Sequence, residues 1–91
     1  MFYVYIIQSD VDGSYYKGVS ENPQSRLRQH NNGESSYTSF KVPWRLVHIE
    51  SHPTKRKALI REKVLKKYSH EQITRLIQSP KNIVSSFGTS N

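Results

Sequence analysis

Residues 2–8, FYVYIIQ, are apolar nearly throughout. On an extended chain Tyr3, Tyr5 and Ile7 fall on one side and Phe2, Val4 and Ile6 on the other. A strand with one wet face alternates, whereas a strand that is apolar on both faces has to be covered on both. The segment therefore belongs at the centre of a sheet with other structure above and below it. Asp10, Asp12 and Gly13 follow as turn chemistry, Gly13 tolerating a positive φ, and the chain is expected to return antiparallel over 14–19. On that second strand Tyr16 and Gly18 share one face, while Tyr15, Lys17 and Val19 take the other. Gly18 leaves room for a backbone or a ligand phosphate to come close.

The rest of the chain supplies the covering layers. Asn22-Pro23 opens a helix over 23–31, because Asn caps orphan N–H groups and Pro at the first position forfeits only a donor without a partner. Leu27 is its main apolar anchor, and Arg26 and His30, four apart, share a face. Residues 34–41 are Ser-rich and without period, a loop free to move. In WRLVHIE, residues 44–50, alternation sets Trp44, Leu46, His48 and Glu50 against Arg45, Val47 and Ile49 in a third strand. Pro53 and Thr54 begin a basic helix with an apolar arc of Ala58, Ile60, Val64, Leu65 and Tyr68, bordered by Glu62. Ser69 and Gln72 form a capping box for a last short helix, with Ile73, Leu76 and Ile77 inward and Pro80 beyond its end. The expected fold is α/β in the broad sense, more narrowly α+β. It is a small three-stranded antiparallel sheet flanked by about three helices in the order β-β-α-β-α-α. One domain spans 1–80, and 81–91 form a flexible C-terminal tail.

At 91 residues the chain buries only about two thirds of its unfolded surface, so its core is thin. With no cysteine, neither a disulfide nor a thiolate zinc site can reinforce it, and a reducing cytoplasm is the default location. No apolar run approaches the ~20 residues of a membrane span, and no leader pattern precedes the first strand.

Fourteen Lys and Arg against seven Asp and Glu give a net charge of +7, which points to a polyanionic partner, nucleic acid first. Between positions 55 and 67 there are seven basic residues and one acid, Glu62. With Arg26 and Arg28, this makes two basic helices expected to line one groove. Lys17, Arg28, Lys55, Arg61 and Lys66 are the candidate phosphate contacts.

Tyr5, Tyr16, Arg26, His30 and Glu62 are the residues that such a layout brings together for chemistry. The chain has no glycine-rich phosphate loop, paired acid carboxylates or zinc-spaced histidines. The set suits phosphodiester hydrolysis. One carboxylate, Glu62, holds a divalent ion such as Mg²⁺ or Mn²⁺ together with substrate phosphate and water. Arg26 braces the phosphorane-like charge, and a tyrosine takes a proton from the attacking water. A phenol with pKa ~10 needs positive charge nearby for that task, from the metal, Arg26, Lys17 or His30. His48, His52 and His70 are read as structural or exposed. Trp44 is read as a packing anchor, with base stacking a further role for Tyr37 or Trp44.

At these spacings the chain resembles the GIY-YIG nuclease superfamily, in particular its short stand-alone bacterial members, similar to the amino-terminal domain of UvrC. Tyr3-Val4-Tyr5 stands at the first triplet and Tyr16-Lys17-Gly18 at the second. Asn22-Pro23, Arg26-Leu27, His30, Tyr37-Thr38, residues 43–47 and RKALIREKVLKK around Glu62 follow in order, so the resemblance covers roughly 2–68. It implies single-metal hydrolysis of DNA leaving a 5′ phosphate, in a setting such as repair or recombination. By position, Tyr5 and Tyr16 are the family's tyrosines, Arg26 its arginine, His30 its histidine and Glu62 its metal-binding acid. The water-activating base stays open between Tyr5 and Tyr16. Tyr3 replaces the first triplet's glycine and is expected to crowd Tyr5, Lys17 replaces the second triplet's middle residue, and the family's late asparagine has no assigned counterpart. The expected function is thus a metal-dependent DNA endonuclease. The alternatives are a non-catalytic nucleic-acid-binding module on the same scaffold and, more weakly, a protein-interaction domain using residues 37–44. A protein partner or a dimer is the expected source of specificity.

Overall fold

The computed structural model of the protein describes residues 1–87. Three strands, β1 (Phe2–Ser9), β2 (Tyr15–Ser20) and β3 (Trp44–His52), form an antiparallel sheet in the order β2-β1-β3. β1 is central, as its two apolar faces require. Helices α1 (Pro23–Asn31), α2 (Lys55–Leu65) and α3 (His70–Ile77) complete the order β-β-α-β-α-α of an α+β fold.

Local chemistry sets the boundaries. Gly13 takes φ 77° in the β1–β2 turn, where its N–H bonds the Ser9 carbonyl. Asn22 Oδ1 accepts from Ser25 N at 3.1 Å with Pro23 at the first helical position, and Thr54 Oγ1 accepts from Lys57 N at 3.1 Å. Ser69 and Gln72 exchange both bonds of a capping box.

The two faces of β1 seed two cores. Val4 and Ile6 pack with Ala58 and Leu65 of α2 and Ile73 and Leu76 of α3. Tyr5 and Ile7 pack on the other side with Leu27 of α1 and with Trp44, Leu46 and Ile49 of β3. The strict alternation expected along β3 breaks midway. Ile6 faces His48 but Ile7 faces Leu46, so Val47 is the extra residue of a bulge. The bulge inverts the parity that follows it. Ile49 joins Trp44 and Leu46 on the α1 side, while His48 and Glu50 turn to the α2 side, where Arg61 meets Glu50. The expected arc of α2 is also narrower: Ala58 and Leu65 are buried, but Ile60 and Val64 are exposed.

The tail expected to fray from residue 81 is packed over its described part. Asn82 accepts from Ile49 N (3.1 Å) and donates to the carbonyls of Val47 and Ile77 (both 2.9 Å). The 3-10 turn Val84–Phe87 then lies on the α1-side core, with Phe87 edge-on to Tyr3 at 5.1 Å. Gln24 Nε2 holds the Phe87 carbonyl at 2.9 Å. Tyr3 therefore has its own aromatic partner in the C-terminal segment, which accounts for a bulky ring where a glycine was expected. The remainder of the expected tail, 88–91, lies outside the described residues.

Candidate active site

β2 is an edge strand, and the site forms where α1 and α2, on opposite faces of the sheet, both reach that edge. Tyr5 points from the central strand across its register partner Gly18. A Cβ on Gly18 would lie 2.5 Å from the Tyr5 hydroxyl and 2.6 Å from the ring carbon bearing it. The space left by the missing side chain is filled by the Tyr5 ring rather than by a phosphate. Sequence reasoning recognised the vacancy at Gly18 and misjudged its occupant.

Tyr5 is 1% exposed, and its hydroxyl lies 3.0 Å from Nε2 of His30, which is fully buried. His30 Nδ1 lies 2.8 Å from Thr38 Oγ1, and Thr38 Oγ1 approaches the Ser35 carbonyl at 3.5 Å. With the threonine hydroxyl directed at that carbonyl, we assign the imidazole proton to Nδ1, which leaves Nε2 to accept from Tyr5. Burial, reinforced by the Arg26 charge, lowers the His30 pKa and keeps the imidazole neutral. Burial also raises the Tyr5 pKa. Arg26 opposes that rise, and Tyr16 and Glu62 add to it.

Thr38 joins the site through His30, a role that the sequence does not mark. Its loop, expected to move freely, is pinned there: the Trp44 indole N–H donates to the Thr38 carbonyl (3.0 Å), and Ser9 Oγ donates to the Lys41 carbonyl (2.7 Å). Asn31, at the end of α1, clasps the Trp44 backbone through two bonds of 2.6 and 3.0 Å. Tyr16 stands edge-on to His30 at 5.0 Å. Arg26 donates from Nη1 to Gln29 Oε1 and lines a groove of about 440 Å³ with Ser20, Asn22, Gln29 and Lys55. Glu62 comes from α2, its side chain 17% exposed and 3.5 Å from Lys66.

The candidate phosphate contacts are less united than the sequence suggested. Lys55 shares the groove with Arg26, and Arg28 is exposed outside it. Lys17 lies on the α2 face, opposite to Tyr16, where burial and Lys66 lower its pKa. Arg61 is committed elsewhere. Its Nε and Nη2 reach Glu50 at 2.8 and 3.1 Å, and Glu50 also receives His48 Nε2 at 2.8 Å. Burial works to raise the Glu50 pKa, but the His48 and Arg61 bonds outweigh it and hold the carboxylate at about 2. Sequence reading missed this buried centre. An acid flanked by histidines two residues away on each side, within a largely apolar strand, was the available signal. The bulge then carried it to the α2 side.

Among the described residues no group of three His, Cys, Asp or Glu is arranged to hold a metal, and no helix is long and apolar enough to cross a membrane. A lone carboxylate such as Glu62 suits a hard divalent ion only where that ion takes most of its ligands from substrate phosphate and water.

The family model described as the GIY-YIG catalytic domain matches residues 1–74. A UPF0213 protein of Staphylococcus epidermidis is 39% identical over 77 residues, 84% of this chain and 93% of the relative. One from Haloquadratum walsbyi is 38% identical over 82 residues, 89% of this chain and 91% of the relative. Among solved structures, the solution NMR structure of a UPF0213 protein from Bacillus halodurans superimposes with a TM-score of 0.57 at 29% identity, covering 96% of this chain and 94% of that one.

Proposed function

The chain belongs to the GIY-YIG family, whose membership implies nuclease activity, and from that premise we propose that it is a metal-dependent endonuclease hydrolysing DNA phosphodiester bonds. The observation that supports this reading is the buried Tyr5–His30 pair, 3.0 Å apart, with the charges of both Arg26 and Glu62 acting on the Tyr5 hydroxyl. Sheet and helices hold these groups in place before substrate arrives, which is where such a site gains most of its rate.

Of the two tyrosines, Tyr5 is the better base. Its hydroxyl lies 3.0 Å from His30 Nε2, and the negative charge that a bound phosphate brings would raise the basicity of that buried, neutral imidazole, so the phenol oxygen can take a proton from the attacking water while passing its own to His30. Thr38 keeps the imidazole in the accepting tautomer. Tyr16 flanks His30 and shields that transfer from bulk solvent. Arg26 faces the charge that builds on the phosphate. Glu62 and substrate phosphate oxygens would hold Mg²⁺ or Mn²⁺, which supplies the positive charge that acidifies the attacking water.

The test is nicking of supercoiled plasmid with Mg²⁺ or Mn²⁺, run against EDTA and against Glu62→Ala. We expect metal-dependent nicking that the substitution abolishes with DNA binding retained. Salt-sensitive binding without metal-dependent cutting of supercoiled, branched or single-stranded DNA would replace this reading with that of a nucleic-acid-binding module.

A further inference from the structure

The loop between α1 and β3 carries two large rings in open water, Tyr37 at 82% exposed and Phe40 at 89%. Tyr37 is positioned nonetheless. It stands edge-on to Tyr16 at 5.9 Å and 87°, and Tyr16 is edge-on to Trp44 at 6.4 Å. These three rings wall a cavity of about 200 Å³ whose lining Ser14, Tyr15, Thr38 and Lys41 complete. Typical small-molecule sites run to ~300–1,000 Å³, so this one suits a single planar ring system. Its charged rim is closed on itself, Lys41 pairing with Asp12 at 3.1 Å and reaching Ser14 Oγ at 3.3 Å. A flat, uncharged ring with polar edges fits that rim better than a phosphate does. The groove that Arg26 and Lys55 line together with Glu21 keeps a net positive charge and suits a phosphate better.

We propose that this pocket takes one unstacked base of the strand being cut, which makes single-stranded or locally unpaired DNA the substrate in preference to continuous duplex. The inference rests on the nuclease reading of the neighbouring site and names the substrate class for it. Tyr16 is the link. Its ring is in edge contact with both Tyr37 and His30, so a base against Tyr16 and Tyr37 fixes where the adjoining phosphodiester lies relative to Tyr5. A paired base reaches the pocket only after leaving its stack, at a cost of a few kcal/mol that unpaired DNA largely avoids. Stacking on an aromatic ring is also tolerant of base identity.

The experiment measures binding in EDTA at low salt, so that cleavage plays no part in it. Fluorescence anisotropy compares a short single strand with the duplex of the same sequence, and an aminopurine placed in the single strand reports stacking. We expect tighter binding of the single strand and quenching of the aminopurine. Tyr37→Ala should weaken single-strand binding at least about fivefold and abolish the quenching while leaving duplex affinity unchanged, and Tyr37→Phe should retain both. Tyr37 is exposed, so neither change threatens the core. Equal affinity for both forms, no effect of Tyr37→Ala, or no binding to either form would overturn the proposal. Metal-dependent cutting of the single strand at equal rates by wild type and Tyr37→Ala would overturn it while leaving the nuclease reading intact. Preferred single-strand binding through Tyr37 without any cutting would overturn the nuclease reading, and with it the bound strand's role as substrate, while the base pocket itself would stand.

Discussion

Gly18→Ala tests the site through its most crowded contact. The added Cβ would stand 2.5 Å from the Tyr5 hydroxyl, 2.6 Å from Cζ and 2.8 Å from Cε1. Carbon and its neighbours settle at ~3.5–4.0 Å, so something must yield by about 1 Å. Both backbones are held in register by the β1–β2 ladder, and β1 is clamped by β3 on its far side. The Tyr5 ring has to move, within a core where it is 1% exposed. Its hydroxyl sits 3.0 Å from His30 Nε2, and a displacement of about 1 Å takes that pair out of hydrogen-bond range. Overpacking of this kind costs about 1–3 kcal/mol. For the base proposed above, misplacement by that distance costs about a hundredfold in rate. Urea unfolding, read as a midpoint shift at constant slope, gives the first quantity, and plasmid nicking under fully folded conditions gives the second. Repeating the substitution on a Tyr5→Phe background removes the nearest clashing atom, so the stability penalty should shrink. An alanine variant with the wild-type midpoint and the wild-type nicking rate would refute the account of both the packing and the base.

Glu50 should make stability pH-dependent at the acid end. Its carboxylate is held at about 2 in the fold against an ordinary 4.5. The stabilisation is therefore complete above about pH 4.5 and disappears as pH falls toward 2, about 3 kcal/mol in all. Asp12 is also held at about 2, by bonds from Ser14 and Lys41, but it is exposed; the loss of acid sensitivity in Glu50→Gln, followed by urea midpoints across this range, isolates the buried group. Asn82→Ala strips partners from the Ile49 N–H and from the Val47 and Ile77 carbonyls. It should lower the unfolding free energy by about 2 kcal/mol in the same assay.

Local rules were enough to read the element order, the central strand and all three helix starts, because Asn22-Pro23, Thr54 and the Ser69–Gln72 box act on their own neighbours. The meeting of Tyr5 with His30 was also legible, since strand and helix periods each fix a face and a single hairpin joins them. What stayed hidden depends on distant partners. Nothing in WRLVHIE announces that Val47 bulges, and that one extra residue moves His48 and Glu50 to the face where Arg61 waits. Arg61, one basic residue among seven in its stretch, looks available for phosphate until Glu50 is placed beside it. Thr38 lies in a segment without period, and only the packed chain brings it to His30.

The bonds made by Asn82 and Ile83 have a consequence for how the molecule behaves in a crowd of its own kind. A three-stranded sheet has two rims, and along each rim outward N–H and C=O groups can template a strand from another chain. At Ile49 both outward groups are already taken, the N–H by the Asn82 side chain and the C=O by the Ile83 N–H at 2.9 Å. Two residues thus impersonate a fourth strand at the middle of β3 and deny that position to a neighbour. Truncation ahead of Asn82 would leave an unpaired rim as well as a thinner core, and the shortened chain would show its loss first as association at high concentration.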